Sequence, residues 1–151
     1  MVYLAIFQLL AFWAFAAVLW AGREATKLPQ GTAEDMLATG RPDGTVVACL
    51  GDSITHGRVG YHWVSTLREK MSSSGTSFIN AGINGNVAWQ LGQRIDPVLK
   101  CKPDVAVVLI GTNDVMGTFN EVDARSYVRQ GKLPETPSIE FYRRELTSLL
   151  D

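Results

Sequence analysis

The hydrophobic pattern divides the chain into an apolar head, a polar stretch, and a region where short apolar runs alternate with helical spacing. Val2 to Ala21 is almost wholly apolar, with Gln8 its only strongly polar residue. About 20 such residues suffice to cross a bilayer as a helix. A cleaved signal peptide competes: Leu19-Trp20-Ala21 leaves a small residue before Gly22, but a basic n-region is missing and the apolar run is long. Residues 1–22 are therefore expected to be a transmembrane anchor or a signal peptide, placing the protein at a membrane (single-pass) or outside the cell. Arg23 and Lys27 follow the run, which by the positive-inside rule favours a cytoplasmic C-terminal side. Residues 23–44, with Pro29, Gly31, Gly40, Pro42 and Gly44, read as a linker holding a short helical turn near Ala33–Ala38.

From Thr45 the periods change. Val46 to Leu50 is a continuous apolar run of the kind that fills a parallel sheet. A Pro-Asp-Gly turn at Pro42–Gly44 launches it. Tyr61 to Met71 carries Val64, Leu67 and Met71 at helical spacing, with Trp63 beside them, and Ser72–Gly75 ends that helix. Ser77 to Asn80 reads as a short second strand, followed by the glycine-rich Gly82–Gly85 loop. A second helix places Leu91, Ile95 and Val98/Leu99 on one face, and Pro97 should kink it or end it early. Asp104 to Ile110 contains Val105–Ile110, the best buried-strand candidate of the chain. Phe119 to Glu135 is ambiguous, with a short helix near Asp123–Arg129. Thr136-Pro137 then starts a last helix, Thr as N-cap and Pro at the first position. Its stripe is Ile139, Tyr142, Leu146 and Leu149/Leu150, and Glu140–Arg144 is an i,i+4 pair. The order β-α-β-α-β-α implies a parallel sheet with right-handed crossovers.

Composition adds constraints. A length of 151 residues suits one ordinary domain, and hydrophobic residues make up 46%. The formal net charge of −1 gives no reason to expect nucleic acid as a partner. Cys49 and Cys101 do not make a disulfide framework and read as small buried hydrophobes. No C-x-x-C or H-x-x-x-H spacing suggests a metal, and no cofactor signature is present: the glycine loops lack G-x-G-x-x-G and G-K-[ST].

The candidate chemistry sits where the first strand ends. Gly51-Asp52-Ser53-Ile54-Thr55-His56-Gly57 is a tight turn between strand and amphipathic stretch, with a serine at its tip. The hydroxyl is then exposed at the carboxyl end of the sheet, where open α/β folds place ligands. Its N–H lies near a helix N-terminus, which favours developing negative charge. Asp52 between Gly51 and Ser53 distinguishes the run from the G-x-S-x-G elbow. G-D-S-I-T-x-G resembles the first signature block of the SGNH (GDSL) hydrolases. Asn80-Ala81-Gly82-Ile83-Asn84-Gly85-Asn86 resembles the second block and Gly111-Thr112-Asn113-Asp114 the third. Three blocks in order over Thr45–Asp114 are a specific signal. The family's D-x-x-H is absent, since no histidine follows His62.

The resemblance implies a flavodoxin-like (SGNH) α/β fold, incomplete at about three strands, with residues 45–151 as a partial hydrolase domain. The first strand should lie beside the second and third, leaving the third as an unpaired apolar edge. It implies acyl transfer from a carboxylic ester to Ser53, with the Ser53 and Gly85 N–H groups and the Asn113 side-chain amide as oxyanion donors. The substrate would be a small-molecule, lipid or carbohydrate ester, with neither metal nor organic cofactor. Without the Asp and His, the chain alone should be weak or inactive. A catalytically inactive, membrane-tethered fragment or interaction module is the alternative. Asp52 and Asp114 read as loop-fixing carboxylates, His56 as a surface or substrate-rim residue, and His62 as lying on the helix surface or against the linker.

Overall fold

The computed structural model describes residues 12–20, 22–23, 26–58 and 60–151. Three strands form one parallel sheet in the order β2-β1-β3. β1 is Thr45–Gly51, β2 Thr76–Gly82 and β3 Val105–Leu109. β1 pairs with β2 from Thr45↔Thr76 to Gly51↔Gly82 and with β3 from Val47↔Val105 to Gly51↔Leu109. The carboxyl ends of all three strands thus reach one rim. The central place of β1, expected from the resemblance, is observed. β2 is longer than its sequence suggests, because the ladder to β1 carries it through Ala81 to Gly82.

Alternation along β1 separates two apolar layers. On one face Val46, Ala48 and Leu50 pack with Ile79, Leu91, Val98 and Cys101. That layer recruits Ala33 from α1 (Ala33–Thr39), a helix closed by a capping box between Thr32 and Asp35. The stretch read as a linker therefore contributes to the core. On the opposite face Cys49 and Phe78 are covered by Val64, Trp63 and Leu67 of a helix after β1. Two helices fill the first crossover: the short α2 (Ser53–His56) and α3 (Trp63–Lys70). The second crossover is interrupted at Gln93–Ile95 into α4 (Ala88–Gly92) and α5 (Asp96–Lys100), with Pro97 in the first turn of α5, where its missing N–H costs nothing. Leu99 points outward there, 58% exposed, and is no part of the expected stripe.

β3 departs most from expectation. Val105, Val107 and Leu109 are 48%, 41% and 45% exposed, although they form the most apolar run after the head of the chain. α3 covers β1 and β2 on this face but not β3. Ala106, the neighbour of Ala48 across the ladder, is exposed as well. Only Val108 and Ile110 turn into the main core.

After β3 come α6 (Thr112–Met116), α7 (Glu121–Gly131) and α8 (Ile139–Leu150). α7 is a full helix capped by Asn120, whose Oδ1 accepts from the Val122 and Asp123 N–H groups. Ser138, not Thr136, caps α8: its Oγ accepts from Phe141 N at 3.0 Å. Pro137 stays outside the helix, close against Gly117, where an added Cβ would lie 2.7 Å from the ring. Phe141 is the buried anchor of α8, packing with Val87 and Leu133, while Ile139 is 64% exposed. Arg144 pairs with Glu135 and Glu145 rather than Glu140.

Residues 12–20 are helical. Among the described residues no helix is long and apolar enough to cross a membrane. Most of the apolar run Val2–Ala21 lies outside the described residues.

Candidate active site

The loops following the three strands meet, and the contacts that join them are specific. Asp52 caps α2, its Oδ1 accepting from Ile54 N at 2.9 Å. Its other oxygen lies 3.4 Å from Asn113 Nδ2. The same Nδ2 donates to the Asn86 carbonyl at 2.9 Å. Asn113 Oδ1 accepts from the Tyr127 hydroxyl at 3.0 Å. The amide of Asn113 therefore touches the residue before Ser53 and the residue after Gly85. The three residues singled out in sequence stand on loops that contact one another.

Ser53 is the first residue of α2 and is half-buried. Among the described residues nothing hydrogen-bonds its hydroxyl. Gly85 is exposed at φ +76°, in the left-handed region that suits glycine, and a Cβ there would meet open space. Its requirement for glycine is thus one of backbone conformation, with vacant room in front of it. Neither the Ser53 nor the Gly85 N–H donates to a described residue. Such donors, left unused by the fold, are free to serve a ligand oxygen.

Glycines let the serine turn sit low on the sheet. A Cβ on Gly82 would lie 2.1 Å from His56 N, and one on Gly51 would lie 2.2 Å from the Leu109 carbonyl and 2.3 Å from Thr55 Oγ1. Asn80 seals the contact: its Nδ2 donates to Thr55 O at 3.0 Å and its Oδ1 accepts from Gly82 N.

The remaining polar groups are structural. Asp114 is buried and both its oxygens face Ala88 N, at 3.2 and 3.1 Å, so it fixes the start of α4. Burial holds its pKa above the ordinary value, against the opposing Ala88 bond. Asp52 and Asp114 are loop-fixing carboxylates, as the sequence suggested. His56 is not a surface residue: it is 7% exposed and its Nε2 lies 2.8 Å from the Lys27 carbonyl. The segment before α1 folds over it, a contact across 29 positions that local pattern does not reveal. His62 is exposed at the start of α3. Burial raises both thiols, Cys49 to about 11, so neither is a ready nucleophile. Among the described residues no cluster of three His, Cys, Asp or Glu side chains is arranged to hold a metal ion.

Two residues of this site carry no sequence signal. Arg94 reaches back from the α4–α5 connection: Nε donates to Asn86 Oδ1 at 2.7 Å, Nη1 to Ala81 O at 2.9 Å and Nη2 to Gly51 O at 3.0 Å. One guanidinium thus ties the ends of β1 and β2 to the Gly85 loop. Burial lowers its pKa to about 10, so it remains a cation at neutral pH. Tyr127 of α7 orients the Asn113 amide, and burial raises its phenol pKa.

Comparison with known proteins agrees with this architecture. An acetyl xylan esterase, AlAXEase, is 25% identical with a TM-score of 0.51, the alignment covering 70% of this chain and 50% of that one. A catalytic mutant of Axe2, an acetylxylan esterase from Geobacillus stearothermophilus, is 25% identical with a TM-score of 0.53, covering 72% and 54%. The chain thus spans about half the length of these solved structures. No curated protein matches it. A family model matches residues 49–150, from the centre of β1 to the end of α8, and by that match the chain belongs to the GDSL-like lipase/acylhydrolase family.

Proposed function

We propose that this chain carries the nucleophile and the oxyanion donors of a carboxylic ester hydrolase. The observation that carries the reading is the pair of unused N–H groups at Ser53 and Gly85 on loops bridged by Asn113. Ser53 Oγ attacks the ester carbonyl, and its proton passes to a base. The carbonyl oxygen becomes an oxyanion facing the Ser53 and Gly85 N–H groups and the Asn113 amide. Collapse releases the alcohol, and water then attacks the acyl-serine to free the acid. In this role Asn113 Nδ2 would exchange its long contact with Asp52 for the oxyanion. Substrates of this class are acyl lipids, acetylated sugars and small esters, and the two solved relatives are described as acetyl xylan esterases.

Among the described residues no imidazole reaches the Ser53 hydroxyl, and both histidines have other places. A Ser53 without a base supports slow chemistry at most. The test is fluorophosphonate labelling and p-nitrophenyl acetate turnover, for this chain and for a longer chain that includes a downstream D-x-x-H. Labelling of Ser53 in the longer chain, lost in Ser53→Ala, is the expected result. Asn113→Ala should lower its kcat by about 10²–10³. A longer chain that is neither labelled nor active ends the reading.

A second reading, a chain without catalysis, rests on the lack of a base beside the Ser53 hydroxyl among the described residues. It predicts that the 151-residue form is never labelled at Ser53 while remaining folded. We propose membrane attachment or export through residues 1–22, checked by carbonate extraction and by N-terminal sequencing of the mature protein.

A further inference from the structure

Beside Gly85 lies a cavity of about 610 Å³, walled by the Gly85 loop, α4, α7 and Thr26. Its lining is unusual for a site that would hold an acyl chain. Among the described residues it contains no Leu, Ile, Val, Met or Phe and no charged side chain. The wall is made of hydroxyl and carboxamide side chains, those of Thr26, Asn84, Asn86, Gln90, Ser126, Tyr127 and Gln130, with the glycine backbone of Gly85 and Gly131 between them. We infer that it binds a polyhydroxylated group, a sugar ring, as part of the substrate. This inference rests on the reading of Ser53 as the acyl acceptor and names the chemistry of the alcohol it would be freed from.

The reasoning is one of matching. A long alkyl chain gains about 25 cal/mol per Å² against apolar surface, and no Leu, Ile, Val, Met or Phe side chain of the described lining supplies it. A phosphate or carboxylate would require a cation, and among the described residues none lines the cavity. Sugar hydroxyls both donate and accept, and carboxamides and hydroxyls do the same. Asn86 is more than nine-tenths buried, spends its Oδ1 on Arg94, and its amide nitrogen donates to no described residue. Gln90 is held from both ends: its Oε1 accepts from Val87 N at 3.1 Å and its Nε2 donates to Gly131 O at 3.2 Å. Gln130 donates to Ser126 Oγ at 2.8 Å, which leaves its oxygen and the serine proton to a ligand. The Tyr127 ring adds a flat face between them, and flat faces suit the C–H side of a pyranose. The volume lies within the usual range for small-molecule sites, about 300–1,000 Å³.

Ligand-observed NMR with methyl glucopyranoside as probe, on the full chain, tests this. Saturable binding in the millimolar range is expected, with sodium octanoate unable to compete. Gln130→Leu and Ser126→Ala, both outside the proposed catalytic set, should each weaken it about fivefold, as befits one lost hydrogen bond. Octanoate binding in place of the sugar overturns the inference. So does sugar binding indifferent to Gln130→Leu, or no saturable binding by a chain whose melting temperature shows it folded. Fluorophosphonate labelling of Ser53 is read separately. Sugar binding without labelling ends the esterase reading and leaves the sugar site standing; labelling without sugar binding does the reverse.

Discussion

The two flanks of β1 are built from similar residues and end up in opposite conditions. On the β2 flank, Ile79 and Phe78 are buried between α3 on one face and α1, α4 and α5 on the other. On the β3 flank, Val105, Val107 and Leu109 stand with more than two-fifths of their surface in water. Strand propensity and apolar content are at least as high in β3, so neither decides burial. What decides it is coverage: on the face of Cys49 the described helices cover the β2 flank and not the β3 flank, while Val108 and Ile110 still reach the main core on the other face. A bare apolar edge strand is also a template for pairing with another chain.

The sharpest way to break this contrast is by truncating side chains in the two strands. Ile79→Ala should cost about 2–5 kcal/mol in urea denaturation, as a fully buried isoleucine. Val107→Ala should cost under about 1 kcal/mol. Equal costs would show that β3 is covered in solution. Val107→Lys in sedimentation velocity should reduce association that grows with concentration, without lowering the melting temperature appreciably.

The next largest effect belongs to the clasp on the closed flank. Arg94→Met removes three hydrogen bonds and should cost about 2–3 kcal/mol by the same denaturation measurement. Arg94→Lys should recover less than half of that, since a single ammonium does not replace a planar fork. Across the rim, Tyr127→Phe deletes one bond to Asn113 and should cost about 1 kcal/mol.

The smallest effect is one of pH. The folded-state pKa of Asp114 lies above its ordinary 3.8, with burial as the main cause. Between 3.8 and that raised value the folded state holds the proton while the unfolded state has lost it. The linkage slope there is negative, so this group makes stability fall as pH rises through the window. Asp114→Asn, which keeps an acceptor for Ala88 N, should flatten that part of a stability–pH curve. An unchanged slope would show that the decline comes from other carboxylates.

How much of this was legible in the chain follows from the same contrast. The alternation of apolar runs and helical spacing gave the strands and the loops between them, because periodicity and turn residues are local; the order of the strands in the sheet came from the family resemblance. Ser53 stood out at the end of the first strand, and Gly85 and Asn113 through the signature blocks that the chain shares with the SGNH hydrolases. Arg94 did not, since its partners are backbone carbonyls of Gly51 and Ala81 that only the folded sheet brings together. His56 looked like a rim residue until the Lys27 segment covered it. Val105–Ile110 was recognisable as a strand, but its exposure depends on neighbours that no property of the run encodes. Phe141 was passed over for Ile139 because the face of α8 that is buried is set by Val87 and Leu133, which lie far from it in the chain.

The missing side chain at Gly82 sets a height. With 2.1 Å between the place of a methyl group and His56 N, Gly82→Ala would have to lift the serine turn by roughly 1 Å. A shift of that size between reacting groups is enough to cost about 10²-fold in rate. An atom withheld from the second strand thereby acts as the shim against which the first loop is levelled.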